Sequence, residues 1–584
     1  VNFIDNISPG PRGWDGLNQY VNIAKRISEA GGLITMGGNY YWELIMSLGF
    51  TMFNWTTITL NLASFFPAAL CLIGLYFILR KFISKRSALI STAAVYMTPM
   101  FSFHGVEENK IDLGNFAIGI IAFLSIYLGI TAESKREKFA YIAIAGLLAG
   151  FCLGIKLTSL ILILAGVATV LYDTYKWKGA LAGLLFSVSI IFLTSSISMG
   201  TELVIPQSLN LIIGGVLLTA SIGLTAMFVL KTENRKGLKT ALIFVAFAGL
   251  AFSPWAIKNF SGTLSLDTNS LLFGKNPQPY IDEAMLAENY GYDGGLCQGT
   301  GTYEELDRYL GYSPFVIKYL TLPWHLTMND EGTQGLYIDI GWVFLAFIPA
   351  FLLFIPFKKI DEKWKLIMWF GICYWVLWLI TCNGIIWYGL PGFTVLALWT
   401  GGLMDRYTEA NGRMGKIILN ILVVALLITS LVFRLGMAGK GTLLLYTSGV
   451  MTAEEAQLAI FPSSGLVTEI FENDQDGKYD LIWKIGTPLN YFIPDNFWRT
   501  YNDQYIDRLN CLYMERDPEL LTERLKALGF GYIIFDYYTY TLSPDPNSTL
   551  MEKYNATFDY IMNYTELVVP DYYRGHFVVK IPGT

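Results

Sequence analysis

Three charged side chains hold chemistry that the rest of the chain rarely offers. Asp15 follows Trp14 in SPGPRGWDGLNQYVNIAKRISEAGGLI (8–34), Asp112 lies in HGVEENKIDLG (104–114), and Lys156 lies in AGLLAGFCLGIKLTSLILIL (145–164). A carboxylate can take a proton from a hydroxyl. An ammonium can hold a phosphate as a compact positive charge, and such charge-assisted contacts are stronger than neutral ones. Each residue also has a plainer reading. Asp15 opens a helical pattern of Leu17, Tyr20, Val21, Ala24 and Ile27 that Gly31-Gly32 stops, so spacing alone makes it a helix cap. Glu107, Glu108 and Asp112 could belong to a solvated acidic loop. Asp112 is the most informative of the three, because it stands at a span entrance where charge is costly. Lys156 could simply snorkel, although Gly146, Gly150 and Gly154 stand four apart before it and let another helix approach closely.

The elements that position these residues belong to a membrane protein. Of 584 residues, 53% are hydrophobic and 15% charged, against roughly 25% charged in soluble domains. The net charge of −6 gives no basis for nucleic-acid binding, and six cysteines do not make a disulfide framework. Twelve apolar spans are expected at 59–79, 87–103, 113–131, 139–155, 157–173, 180–197, 210–230, 240–257, 339–357, 366–382, 384–404 and 417–436. Alternate short loops (80–86, 133–138, 174–179, 231–239, 357–365 and 405–416) carry twenty basic residues. The short loops on the other side carry only Lys110. By the positive-inside rule the basic side is cytoplasmic. The polar stretches 1–58, 258–338 and 437–584, about half the chain, then fall outside.

These stretches divide the chain into a first extracytoplasmic loop with juxtamembrane helices (1–58), a transmembrane core in two parts (59–257 and 339–436), a large extracytoplasmic loop (258–338) and an extracytoplasmic α/β domain (437–584). In the last, LTERLKALGF (521–530) reads as an amphipathic helix ending at Gly529, and GYIIFDYY (531–538) as a buried strand. Cys297 and Cys511 both fall outside and could pair. So do the Asn-x-Ser/Thr sites at Asn6, Asn54, Asn259, Asn547, Asn555 and Asn563. His104, His325 and His576 have no paired spacing, so no metal site is expected. A divalent ion on Asp15, Glu107 or Glu108 is not favoured, and no other cofactor is expected. Asp15, Asp112 and Lys156 come from separate segments yet share the outer face. Two acids and a cation at one interface suit a lipid-phosphate substrate.

In order along the chain, GWDGLN (13–18), NYYWELIMSLG (39–49), KIDLGNF (110–116), GFCLGIKLTSL (150–160), FSPWAIKNFSGT (252–263), LPWHLT (322–327), WYGLPGFTVL (387–396) and LKALGFGYIIFD (525–536) resemble the polytopic GT-C glycosyltransferases, near the protein mannosyltransferases and the aminoarabinose transferase of lipid A. The resemblance implies transfer of a sugar from a polyprenyl-phosphate carrier to a protein, lipid or polysaccharide acceptor at the outer face of the cytoplasmic membrane, with inversion. It implies Asp15 as base, Lys156 on the donor phosphate, and Asp112, Glu43 and Glu108 as supporting acids. It also implies a further span before Val1, thirteen in all. The chain departs from the family at Gln19-Tyr20, where Tyr-His is usual, and at Trp387-Tyr388, where Arg-Tyr is usual. A catalytically inactive GT-C-like subunit acting as scaffold is the alternative expectation. A transporter is disfavoured by the lack of an internal repeat and by the large external mass.

Overall fold

The computed structural model describes residues 2–34, 38–106, 108–194, 206–232, 235–264, 281–291, 315–328, 339–341, 344, 362–382, 385–437, 440–461, 463–465, 467, 481–493, 500–537, 549–571 and 576–583. It is an α-helical polytopic membrane architecture with a small sheet domain at its C-terminal end. Among the described residues, eight helical runs are long and apolar enough to cross a membrane: Thr56–Leu79, Asp112–Thr131, Lys135–Ile155, Leu157–Leu193, Gln207–Phe228, Lys236–Gly262, Trp364–Thr381 and Ile386–Thr429. Two of these runs turn sharply inside. Lys176 (φ 54°) and Gly412 (φ 55°) leave the helical region and divide their runs at the basic loops expected there. Split in this way, the eight runs overlap ten of the twelve expected spans.

The expected span 87–103 is not one continuous helix. It is two helices end to end, Lys85–Met97 of 13 residues and Pro99–Val106 of 8, that meet at Thr98. Pro99 is the cause: its ring forces the preceding Thr98 into extended backbone (ψ 133°) and ends the helix. The expected span 339–357 lies almost entirely outside the described residues.

Loops assigned to one side meet one another. On the basic side, the Asp405 carboxylate accepts from the Ser84 amide, the Ser84 hydroxyl and the Ser87 hydroxyl, and Lys176 pairs with Glu362 at 3.6 Å. The glycine ladder works as its spacing suggests. A Cβ at Gly146 or Gly150 would strike the backbone carbonyls of Phe244 and Ala248, so the helix Lys236–Thr263 lies directly against Lys135–Ile155. Gln207–Thr232 exposes Leu211, Ile212, Val216 and Ile222, an apolar face suited to lipid.

The C-terminal domain is a five-stranded sheet of order β2-β1-β3-β5-β4, with β1 Leu481–Ile485, β2 Thr500–Asn502, β3 Phe530–Asp536, β4 Glu566–Asp571 and β5 His576–Lys580. β1 pairs in parallel with β2 and β3, and β5 antiparallel with β3 and β4. The helix Pro518–Ala527 runs into β3 through Gly529 at φ 85°, the helix-then-strand order read from 521–538. Successive strand residues face opposite sides. Trp483, Ile533, Phe535 and Val579 pack on the domain's own helices and on Leu286 of the helix Glu283–Tyr290. Ile482, Tyr532, Ile534 and Val578 pack on Leu17, Tyr20, Val21 and Ala24. The sheet is therefore buried on both faces, and one face rests on the segment that carries Asp15.

Cys511 is disulfide-bonded, Cys297 lies outside the described residues, and Cys71, Cys152, Cys373 and Cys382 are free. Among the sequons, Asn54, Asn555 and Asn563 are exposed. Asn6 and Asn259 are buried, the latter within an apolar helix, so in the folded chain these two cannot accept a glycan. Asn547 lies outside the described residues.

Candidate functional site

The apolar positions Leu17, Tyr20, Val21, Ala24 and Ile27 are all buried. They lie on a π-helical turn, Gly16–Tyr20, that continues as the helix Val21–Ala30 and is capped by Gly31 at φ 64°. Asp15 precedes that turn, but its side chain makes no capping hydrogen bond. Its Oδ2 instead takes Lys110 Nζ at 2.9 Å, and its carboxylate is one-third exposed. This frees Asp15 from the plainer reading that its spacing allowed.

Lys110 comes from the loop before Asp112–Thr131, and that loop is stitched to the first segment. The Asn109 side chain accepts from the Arg12 amide at 2.7 Å, and the Glu108 carboxylate accepts from the Trp14 amide at 3.2 Å. Gly16 passes so close to Asn109 that a Cβ would sit 3.1 Å from the asparagine Cβ. Lys110 also lies 3.7 Å from Glu108 and 4.8 Å from the centre of the Trp387 ring. Burial works against its ammonium, but Asp15, Glu108 and Asp112 outweigh it and hold the lysine above its usual pKa. Burial pushes the Glu108 carboxyl up, against the pull of Lys110.

Lys156 ends the helix Lys135–Ile155 in extended backbone (φ −151°, ψ 130°). Its Nζ donates to Asp112 Oδ1 at 2.8 Å and lies 3.9 Å from the Tyr388 ring centre. The Asp112 side chain is almost fully buried. Glu43, buried in the helix Tyr41–Phe53, lies within electrostatic reach of Lys156 and Asp112, and burial pushes its carboxyl to about 8. The Tyr20 hydroxyl is held well above its usual pKa by burial and then by Asp15 and Asp112, so it stays a proton donor at neutral pH.

Asp15 and Glu108 share Lys110, Asp112 pairs with Lys156, and Glu43 and Lys110 both lie within electrostatic reach of Asp112, which brings the five expected residues into one charged cluster. Glu107 lies outside the described residues. Lys110, Tyr20, Trp387 and Tyr388 join the network without having been singled out for it. The available signal for Lys110 was its isolation as the lone basic residue of the short outer loops. Among the described residues no group of three or more His, Cys, Asp or Glu is placed to hold a metal ion.

The fold has known counterparts. Residues 40–199 match the dolichyl-phosphate-mannose-protein mannosyltransferase family. ArnT from Cupriavidus metallidurans bound to undecaprenyl phosphate is 13% identical, with a TM-score of 0.50 over 100% of this chain and 96% of that one. The chain has the GT-C fold. Apo ArnT from the same organism superposes on this chain with a TM-score of 0.51, at 13% identity over 99% of this chain and 96% of that one. The Archaeoglobus fulgidus oligosaccharyltransferase, tethered to an acceptor peptide containing the NVT sequon, gives 0.50 at 12% identity over 99% of this chain and 73% of that one. No curated protein sequence matches.

Proposed function

We propose that this chain is a membrane glycosyltransferase that moves a sugar from a polyprenyl-phosphate carrier to a hydroxyl on a protein, lipid or polysaccharide acceptor. The observation that carries the reading is the network itself: a partly exposed carboxylate and two ammonium groups gathered at one end of a GT-C helical core. ArnT, which shares the fold, binds undecaprenyl phosphate. Transfer takes place at the extracytoplasmic face of the cytoplasmic membrane, opposite the loops rich in Lys and Arg.

Asp15 is the base. Its Oδ2 is held by Lys110, and Oδ1 has no partner among the described residues. Oδ1 takes the proton of the acceptor hydroxyl as that oxygen bonds to the anomeric carbon. The bond from that carbon to the phosphate oxygen breaks on the opposite face, so the configuration inverts. The departing polyprenyl phosphate takes the electron pair and needs no proton, while Lys156 and Lys110 stabilise its charge. Fixed charges aimed at a developing anion are often the largest catalytic contribution. No resident cofactor or metal enters this reading.

Asp15→Asn keeps the shape and removes the base. Transfer is expected to fall about 10²–10⁴-fold while the variant inserts and melts like wild type. Transfer at the wild-type rate removes Asp15 from the role. The scaffold reading draws on Trp387 at the position where the family has Arg, and on both lysines already being paired with acids. It requires that wild-type chain in membranes supplied with lipid-linked sugars transfers nothing.

A further inference from the structure

We propose that Lys484 and Asn490 of the C-terminal domain form a latch on Asn18 that positions Asp15 for transfer. The inference rests on the reading of Asp15 as base and assigns the sheet domain a part in that chemistry.

Lys484 lies in β1 and is fully buried. It pairs in register with Ile534 and so shares the sheet face that meets the first segment, not the face that forms the domain's own core. Its ammonium donates to Asn18 Oδ1 at 2.6 Å. Among the described residues it has no acid partner, and burial lowers it to about 7. A buried lysine is costly to keep without a countercharge. An apolar residue would continue the pattern of Ile482 and Ile534 at no such cost. What the lysine adds is one directed hydrogen bond, aimed three residues beyond Asp15.

Asn18 is gripped from a second direction. Asn490 Nδ2 donates to Asn18 O at 3.0 Å and to Asn18 Oδ1 at 2.9 Å. Two further contacts tie the following helix to the same stretch: Lys25 Nζ reaches Tyr491 O at 3.4 Å, and Arg26 reaches Ile493 O at 3.0 Å. Asn18 is the middle residue of the π-turn Gly16–Tyr20. A π-turn is an uncommon backbone state that surrounding structure must hold, and such turns gather at functional sites. This turn joins Asp15 to Tyr20, so fixing its centre fixes both. The Lys110 pair holds one carboxylate oxygen of Asp15; the latch sets the direction of the other. Lys484 and Asn490 are positioning residues and touch neither sugar nor phosphate.

The test uses the full chain in membranes of its own host, which supply donor and acceptor. Lys484→Met should lower kcat about a hundredfold, the cost of misplacing a reacting group by about 1 Å, with donor KM changed less than threefold. Undecaprenyl phosphate, used as the binding probe on purified protein in nanodiscs, should bind within threefold of wild type. Amide hydrogen exchange over residues 16–22 should rise at least tenfold. Asn18→Leu, which leaves the C-terminal domain untouched, should give the same kcat loss, and the double variant should be no worse than either single one. Wild-type kcat in both single variants, or losses that multiply in the double variant, overturns the latch. If instead Asp15→Asn transfers at the wild-type rate, the reading of Asp15 fails, whatever Lys484 does.

Discussion

Asp15 and Glu108 share Lys110, and Asp112 pairs with Lys156, so removing one partner leaves the other charge uncompensated. Lys156→Ala strands the Asp112 carboxylate, whose side chain is 2% exposed. Breaking a buried pair from one side costs about 3–5 kcal/mol, so the variant should lose that order of stability in thermal unfolding. If Lys156 also holds donor phosphate, undecaprenyl phosphate affinity should fall at least tenfold, measured at a temperature where the variant is folded. Unchanged affinity reduces Lys156 to a structural partner of Asp112. Glu43 gives a pH signature. Its carboxyl is raised by burial from 4.5 to about 8, so the folded state binds more protons than the unfolded state across that window. Its contribution therefore falls as pH rises from about 4.5 and levels off above about 8, at up to about 1.4 kcal/mol per pH unit. Glu43→Gln should remove that slope from the wild-type curve of Tm against pH; an unchanged slope assigns it to other groups. At this scale the sequence was informative about which residue types gather. Asp15, Asp112 and Lys156 could be expected together because the count of basic residues in the loops assigned all three to one face. The Lys110–Asp15 pair could not, because nothing local links residues 95 apart. Lys484 in LIWKI was hidden for the same reason: what buries it is a segment 466 positions away.

Close backbone contact sets the approach of neighbouring helices where small residues repeat, as expected where lipid competes for apolar surfaces. Gly150 shows this most sharply, because its missing Cβ is where the Ala248 carbonyl passes. That backbone cannot turn aside as a flexible side chain could, so Gly150→Val should separate the helices Lys135–Ile155 and Lys236–Thr263. It should cut the yield of folded protein severely and displace Lys156, which ends the first of them. Gly249, one residue beyond Ala248, faces open space. Gly249→Ala should leave Tm unchanged or slightly raised, within about 1 kcal/mol. Equal behaviour of the two variants in a thermal-melt comparison would refute close packing as the reason for the glycines. The ladder was legible because a four-residue period of small side chains survives as a pattern. The break at Pro99 was legible in principle as well, but the apolar run 87–103 outweighed it. Hydropathy averages over a window, whereas a proline acts at a point.

At the scale of the molecule, distant pieces of chain complete one another's cores. The helix Glu283–Tyr290, from the long polar stretch between the two parts of the transmembrane core, places Leu286 in the core of the sheet domain. Arg524 fastens it there. That side chain is 1% exposed, donates to Glu515 at 2.6 and 2.9 Å, and reaches Leu512 O at 2.6 Å and Tyr290 O at 3.0 Å. The boundaries drawn from sequence, with 258–338 and 437–584 as separate units, could not anticipate this, because LTERLKALGF reads as an amphipathic helix with Arg524 on its polar side. Glu515 is half exposed and would be hydrated without its partner. The cost of Arg524→Ala therefore falls mainly on the two carbonyls left without a donor, about 1–3 kcal/mol each. The variant should release the helix Glu283–Tyr290 before the sheet itself melts. Limited proteolysis should then cut near residues 281–291 at temperatures where β1–β5 still resist. The sheet would keep its grip on Asn18 at those temperatures, so transfer should persist in the nicked protein. Loss of transfer at the moment of that first cut would mean that the long loop, and not only the sheet, supports the Asp15 segment.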